Sequence, residues 1–171
     1  RALALIFTEA RPIYGLPLPF RQLGIGQWGI LPLPVLLSFL LVLTGYFLVR
    51  WTPFGVNLRA AGDNPEGAYR MGVPVHSTLI LVYGFCGFTA ALAGMIATAR
   101  LNTAEAIAGW GIELEAIAAV VIGGTSFFGG EASLLGTFLG ALIIGTLANG
   151  LTIINVPSYY QQLIIGVVFI L

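Results

Sequence analysis

The sequence predicts an all-α fold, a polytopic transmembrane helical bundle that includes one short helix, broken or re-entrant. Three observations predict it. Of 171 residues, 58% are hydrophobic and only 8% charged, against about 25% charged in soluble domains. The formal charges are spaced so that four long intervals carry none. Glycine, at 23 residues, has roughly twice its usual share, and many of these glycines lie inside the uncharged intervals, where small residues let helix backbones approach closely.

The elements follow in order from those intervals, because a hydrocarbon core about 30 Å thick takes roughly 20 apolar helical residues to cross. Residues 1–29 precede the first span. Residues 22–49 carry no formal charge; the span is placed at 30–49, with Pro32 and Pro34 near its start, where missing N–H donors matter least. A polar segment, 50–72, follows. The second span, 73–99, is interrupted only by His76. After a loop at 100–113 comes a short helix at 114–128, whose uncharged stretch 116–130 is 15 residues. As an ideal helix that reaches only about 22 Å. Residues 132–171 carry no charge at all, and the turn residues from Asn155 to Ser158 divide them into a span at 132–154 and a truncated one at 157–171. The chain opens on Arg1 and stops at Leu171 inside an apolar run, the pattern expected of a fragment. Gly136 and Gly140, Ala141 and Gly145, Gly87 and Ala91, and Ala90, Gly94 and Thr98 recur four apart, as helix–helix contacts in membranes require.

Segment 50–72 holds five of the fourteen charges. Asn64 suits an N-cap, Pro65 the first helical position, and Glu66 the positive end of the dipole; Gly72 and Pro74 supply a stop. These residues predict a two-turn helix over 65–71 outside the membrane, offering Tyr69 and Met71 as apolar contacts and Glu66 and Arg70 as polar ones. A solvated connector is the plain alternative.

A second constellation runs from Gly111 to Gly130: Glu113 and Glu115, a short apolar helix, then Gly123-Gly124-Thr125-Ser126 and Gly129-Gly130. Paired glycines suggest a phosphate loop, but a Walker A loop needs a Lys and every basic residue here is Arg. Nucleotide binding is excluded on that ground. Gly123 and Gly124 are read as sites of close backbone approach, intolerant of bulk such as Gly124→Leu, whereas Gly15→Ala is expected to be nearly silent unless its backbone needs positive φ. Glu105, Glu113, Glu115 and Glu131 have no His, Ser or Cys partner at catalytic spacing and are read as interfacial; His76 is read as packed or interfacial. Cys86 is the only cysteine, so neither an internal disulfide nor a cysteine-based metal site can be assembled. The Arg residues are scattered singly, leaving no patch for nucleic acid. No catalytic and no metal-binding residue is expected.

The two constellations, in this order and separation, resemble the permease subunit of bacterial ATP-binding-cassette importers for pentoses and hexoses, the ribose-permease type. Gly55, Asn57, Ala60, Gly62, Asn64, Ala68 and Gly72 are similar to its cytoplasmic loop. Glu113-Leu114, residues 116–126 with Gly129-Gly130, then Gly136-Thr137, Gly140-Ala141 and Asn149-Gly150-Leu151 continue the likeness over nearly the whole chain. It implies roughly the C-terminal half of such a permease: a multi-pass translocation subunit of the bacterial inner membrane, in contact with lipid, that binds no cofactor itself. ATP is used by cytoplasmic ATPase subunits, a second permease copy or paralogue completes the pathway, and a periplasmic sugar-binding protein delivers the substrate. The helix in loop 50–72 becomes the cytoplasmic coupling helix, with Arg59, Gly62, Asn64, Pro65, Glu66, Ala68, Arg70 and Gly72 seated at the ATPase. Glu113, Gly123, Gly124, Thr125, Ser126 and Asn149 are pathway or close-packing residues. Residues 1–29 and 101–111 then face outward; the Arg distribution does not itself orient the chain, since Arg1, Arg11, Arg21 and Arg100 fall on that side.

Two residues depart from the family pattern. Gly67 stands where it usually has Ala, costing the helix about 1 kcal/mol, and Ala132 where it usually has Gly. Competing readings are a branched-chain amino-acid importer permease, less similar in the Gly-Gly-Thr-Ser and Asn-Gly-Leu blocks; an ion-coupled secondary transporter, which needs an intramembrane ionisable residue that these runs lack; and a purely structural membrane protein, which leaves the capped loop helix without a purpose.

Overall fold

The computed structural model describes residues 2–9, 11–29, 31–126, 129, 132–157, 160, 161, 163, 164, 166 and 167. Arg1, Gly130, Glu131 and much of the segment 157–171 lie outside the described residues. The elements in chain order are α1 (Ala2–Thr8), β1 (Ile13–Tyr14), α2 (Leu18–Ile25), β2 (Gln27–Trp28), β3 (Leu31–Pro32), α3 (Leu33–Trp51), α4 (Pro53–Asp63), α5 (Pro65–Arg70), α6 (Val75–Leu101), β4 (Thr103–Ala104), α7 (Ile112–Ile122) and α8 (Leu134–Ile153). Three of them, α3, α6 and α8, are long and apolar enough to cross a membrane. At 1.5 Å per residue they measure about 28, 40 and 30 Å. The fold is therefore an all-α polytopic membrane protein, and the strands among the described residues are two residues long.

Two compact units divide the chain: Arg1–Phe47 with His76–Trp110, and Leu48–Val75 with Gly111–Leu171. In the first, β1 pairs antiparallel with β4, Ile13 opposite Ala104 and Tyr14 opposite Thr103. The Leu16 N–H donates to the Asn102 side-chain oxygen at 3.2 Å, so the pairing is held at the turn just after α6. Gly24 of α2 is buried, and a Cβ there would strike the Ala99 and Arg100 backbone of α6. The outer segment 1–29 is accordingly helical in part, and Gly24 seats it on α6. Gly15 has φ +78°, the condition under which its replacement by Ala is not silent.

In the second unit α7 and α8 pack backbone to backbone. Ideal Cβ atoms built on Gly136 and Gly140 of α8 would fall on the carbonyl oxygens of Gly123 and Ala119, and one on Gly123 would fall on the Gly136–Thr137 peptide. Ala118, Ala119 and Ile144 form the buried cluster between the helices, with Ile122 and Leu147 against it. Of the small residues spaced four apart, the Gly136/Gly140 pair is thus a helix–helix contact within this unit. Around Gly145 there is open space.

The short helix is shorter than expected. Against a sequence reading of 114–128, α7 stops at Ile122, because the Gly124 N–H donates to the Val121 carbonyl at 2.8 Å and the Thr125 N–H to the Val120 carbonyl at 3.2 Å, the paired bonds of a Schellman stop. Gly124 occupies its left-handed position at φ +80°, with nothing within 4 Å of an added Cβ. That corrects the reading of Gly124 as a close-approach residue: close approach belongs to Gly123, and Gly124 serves the turn. α8 ends in the same way, with Asn155 at φ 58° and bonds from Asn155 to Thr152 and from Val156 to Leu151, both 3.0 Å.

Candidate functional site

Segment 50–72 folds as two helices, not as a loop with one. The additional helix, α4, starts at Pro53 after Thr52, whose hydroxyl bonds the Leu48 carbonyl of α3 at 2.6 Å. The turn is tight. A Cβ on Gly55 would fall on the Val49 carbonyl oxygen, so glycine lets the start of α4 lie against the end of α3. Arg59 then reaches back: its Nη2 donates to the Val49 carbonyl at 2.9 Å and its Nε to the Gly55 carbonyl at 3.2 Å. The bond to Val49 supplies a donor to a carbonyl in the last turn of α3, which has no intrahelical partner, and places positive charge at the negative end of the dipole. Arg59 therefore fixes the entry of the segment.

Asn64 ends α4 and caps α5, its side-chain oxygen accepting the Gly67 N–H at 2.9 Å, with Pro65 in the first turn and Glu66 behind it. A Cβ on Gly67 would stand 3.1 Å from the Asn64 Cγ and Nδ2, a tight contact that the capping side chain would relieve by shifting a few tenths of an ångström. α5 closes on a Schellman stop in which Gly72, φ +85°, donates to Tyr69 and Val73 to Ala68, both at 3.0 Å. Ala61, Ala68 and Val75 are buried together, with Ala60 and Val73 against them. Small side chains thus hold α4 and α5 side by side.

What α5 presents outward is polar. Arg70 Nη2 and Glu66 Oε1 pair at 2.6 Å one turn apart, with side chains 75% and 78% exposed. An exposed pair of this kind is worth about 0.3–0.5 kcal/mol, too little to be the reason α5 folds. Tyr69 and Met71 are also exposed, at 71% and 79%. Charge and apolar area side by side, on a helix fixed at both ends, make a surface suited to a protein partner.

The glycine-rich segment after α7 joins this assembly. Thr125 and Thr137 hydroxyls lie 3.3 Å apart, the Thr125 hydroxyl accepts the Ser133 N–H at 3.4 Å, and Ser133 caps α8 through the Gly136 N–H at 3.0 Å. Gly129, at φ +89°, passes so close to α4 that a Cβ on it would fall on the Gly62 carbonyl oxygen. Of the expected pathway or close-packing residues, Gly123 and Thr125 come together here, with Gly124 at the adjoining turn. Glu113 sits at the opposite end of α7, its carboxylate accepting the Gly111 N–H at 3.2 Å, and Ser126 is exposed. Asn149 lies far along α8, about 20 Å from Gly136 by helical rise, and is exposed. The six are not one cluster. Three residues that shape the site were given no role by the sequence reading: Thr137, Ser133 and Gly129. Ser133 had a usable signal, a cap-type residue directly before an apolar run; the long-range contact of Gly129 had none.

With this geometry in hand, comparison with known proteins decides the family. The model of the family described as "branched-chain amino acid transport system / permease component" matches residues 3–171. The chain belongs to this permease family. Within the permease family it is similar to the ribose import permease protein RbsC of Bacillus subtilis (strain 168), 40% identical over 173 residues that take in 100% of this chain and 54% of that protein. The D-allose transport system permease protein AlsC of Escherichia coli (strain K12) is 39% identical over 97% of this chain and 51% of its own. The xylose transport system permease protein XylH of Haemophilus influenzae is 40% identical over 82% and 38%. The chain thus spans about half the length of the curated permeases it resembles. No solved structure gives a significant match.

Proposed function

We propose that this chain is the C-terminal half of the translocation subunit of an ATP-driven importer that moves a monosaccharide across the bacterial inner membrane. The observation that carries the proposal is the likeness, at about 40% identity along the chain, to permeases named for ribose, allose and xylose. The family model is described by branched-chain amino acids, but the relatives at about 40% identity are named for ribose, allose and xylose, and this favours sugar over an amino acid. In this reading the chain hydrolyses no ATP. Two cytoplasmic ATPase subunits would supply the energy, a second permease would close the pathway and a periplasmic sugar-binding protein would hand over the substrate.

The chain's own part follows from α4 and α5. A docking element must be presented outward, keep its shape without its partner and be joined firmly to what it moves. The Asn64 cap, the Gly72 stop and the Ala61–Ala68 contact support the second requirement, and the exposed Glu66–Arg70 pair with Tyr69 and Met71 the first. In the full-length permease, Glu66→Lys and Arg70→Glu are expected to cut ATPase co-purification at least about tenfold, since a docked charge pair couples by 1.5 kcal/mol or more. Folding should change by no more than about 0.5 kcal/mol. Undiminished co-purification and uptake in both variants would return α5 to the status of a connector, and ATP hydrolysis by the purified permease free of any partner would sink the transport-subunit reading.

A further inference from the structure

The contact between Gly129 and Gly62 points beyond docking, to the part of the permease that docking moves. Segment 50–72 is covalently continuous with α3 and α6, so those spans are the obvious recipients of any force applied to α5. Yet the segment belongs to the same compact unit as α7 and α8. Gly129 makes the join: it carries a left-handed φ of +89°, and the Gly62 carbonyl occupies the space of its missing Cβ. Both sides of the contact are backbone, which cannot swing aside as a side chain can, and close-packed contacts pass on strain. Four residues further along the sequence Ser133 caps α8, and Thr125–Thr137 and Gly123–Gly136 bind the end of α7 to α8 as well.

We infer that Gly129 is the positioning residue that makes α4–α5 and the α7–α8 pair one mechanical body, so that movement of the ATPase displaces α7–α8 directly. This rests on the proposal that the ATPase docks on α5. The role needs glycine twice over, for the left-handed backbone and for the absence of a Cβ against Gly62.

The test uses the full-length importer in proteoliposomes, with ribose, allose and xylose as probes. Gly129→Ala is compared with Gly29→Ala, where φ is +68° and nothing lies within 4 Å, so that both carry the backbone strain and only one meets α4. Gly129→Ala should still co-purify with the ATPase and hydrolyse ATP while the ATP used per sugar imported rises about fivefold or more, the lower end of a typical coupling between sites. Gly29→Ala should leave that ratio unchanged. A wild-type ratio in Gly129→Ala overturns the inference; intact ATPase association in Glu66→Lys overturns the docking proposal instead, so the two failures are told apart. A second measurement holds even if Gly129→Ala fails to assemble. Spin labels at Asp63→Cys and Leu135→Cys, with Cys86 replaced, should keep one separation in nucleotide-free and ATP-bound complexes, and a shift of a helical turn, about 5 Å, overturns the single-body inference.

Discussion

Replacing Gly140 by alanine should destabilise the permease, although in an isolated helix the same change would stabilise it. Alanine is favoured over glycine by about 1 kcal/mol in a helix interior, and Gly140 lies within α8. Against this, the added Cβ would fall on the Ala119 carbonyl oxygen and stand 3.1 Å from the Gly123 nitrogen. Both neighbours are backbone, so relief comes only if α7 and α8 separate. Overpacking of this kind costs typically 1–3 kcal/mol, which leaves a net loss of up to about 2 kcal/mol after the propensity gain. A loss of 2 kcal/mol corresponds to roughly a thirtyfold shift in the packed population. Leucine should be worse than alanine, because its extra bulk enters the same interface. The assay is thermal unfolding of the purified, detergent-solubilised full-length permease, alongside sugar uptake normalised to inserted protein. A higher midpoint for Gly140→Ala than for wild type would carry the sign of an unpacked helix and refute the backbone contact between α7 and α8.

Two further outcomes are expected. After replacement of Cys86, a cysteine at Gly62 should react with impermeant thiol reagents only from the cytoplasm and one at Ala106 only from outside, because the single span α6 separates them; labelling of both from one side would refute this topology. Gly124→Ala should cost about 1–2 kcal/mol through its left-handed backbone, while Gly124→Asn, a residue that tolerates that conformation, should recover most of the loss. Equal losses for the two variants in thermal unfolding would mean that side-chain volume, not φ, governs the position.

The spans were legible because a bilayer punishes charge, so the gaps from Arg21 to Arg50, from Arg70 to Arg100 and from Glu115 to Glu131 outline α3, α6 and the short helix before any packing is known. The Asn64-Pro65 start and Gly72 stop of α5 were legible for another reason: capping has chemical requirements that few residues meet. α4 escaped notice because its apolar stripe, Phe54, Leu58 and Ala61, spans only two turns and is interleaved with residues that read as turn. It carries Arg59 and Asp63, contains Gly55 and Gly62, and buries only small residues such as Ala61. Gly123 and Gly124 show the limit most sharply. The sequence calls for glycine at both, but one accepts a neighbouring backbone and the other a left-handed turn, and only the end of α7 decides which is which. The Gly62–Gly129 contact joins positions 67 residues apart, and no local pattern encodes it.

The stops of α5, α7 and α8 are built from amide and carbonyl groups alone, closed by Gly72, Gly124 and Asn155. None of these bonds involves a side chain that titrates. At physiological ionic strength exposed charges more than about 8 Å apart are largely screened from one another, so the attraction of a partner to the Glu66–Arg70 surface responds to ionic conditions while these backbone stops do not. An ionic-strength series on the intact importer would therefore read the adhesion of the charged surface against an architecture that stays constant throughout.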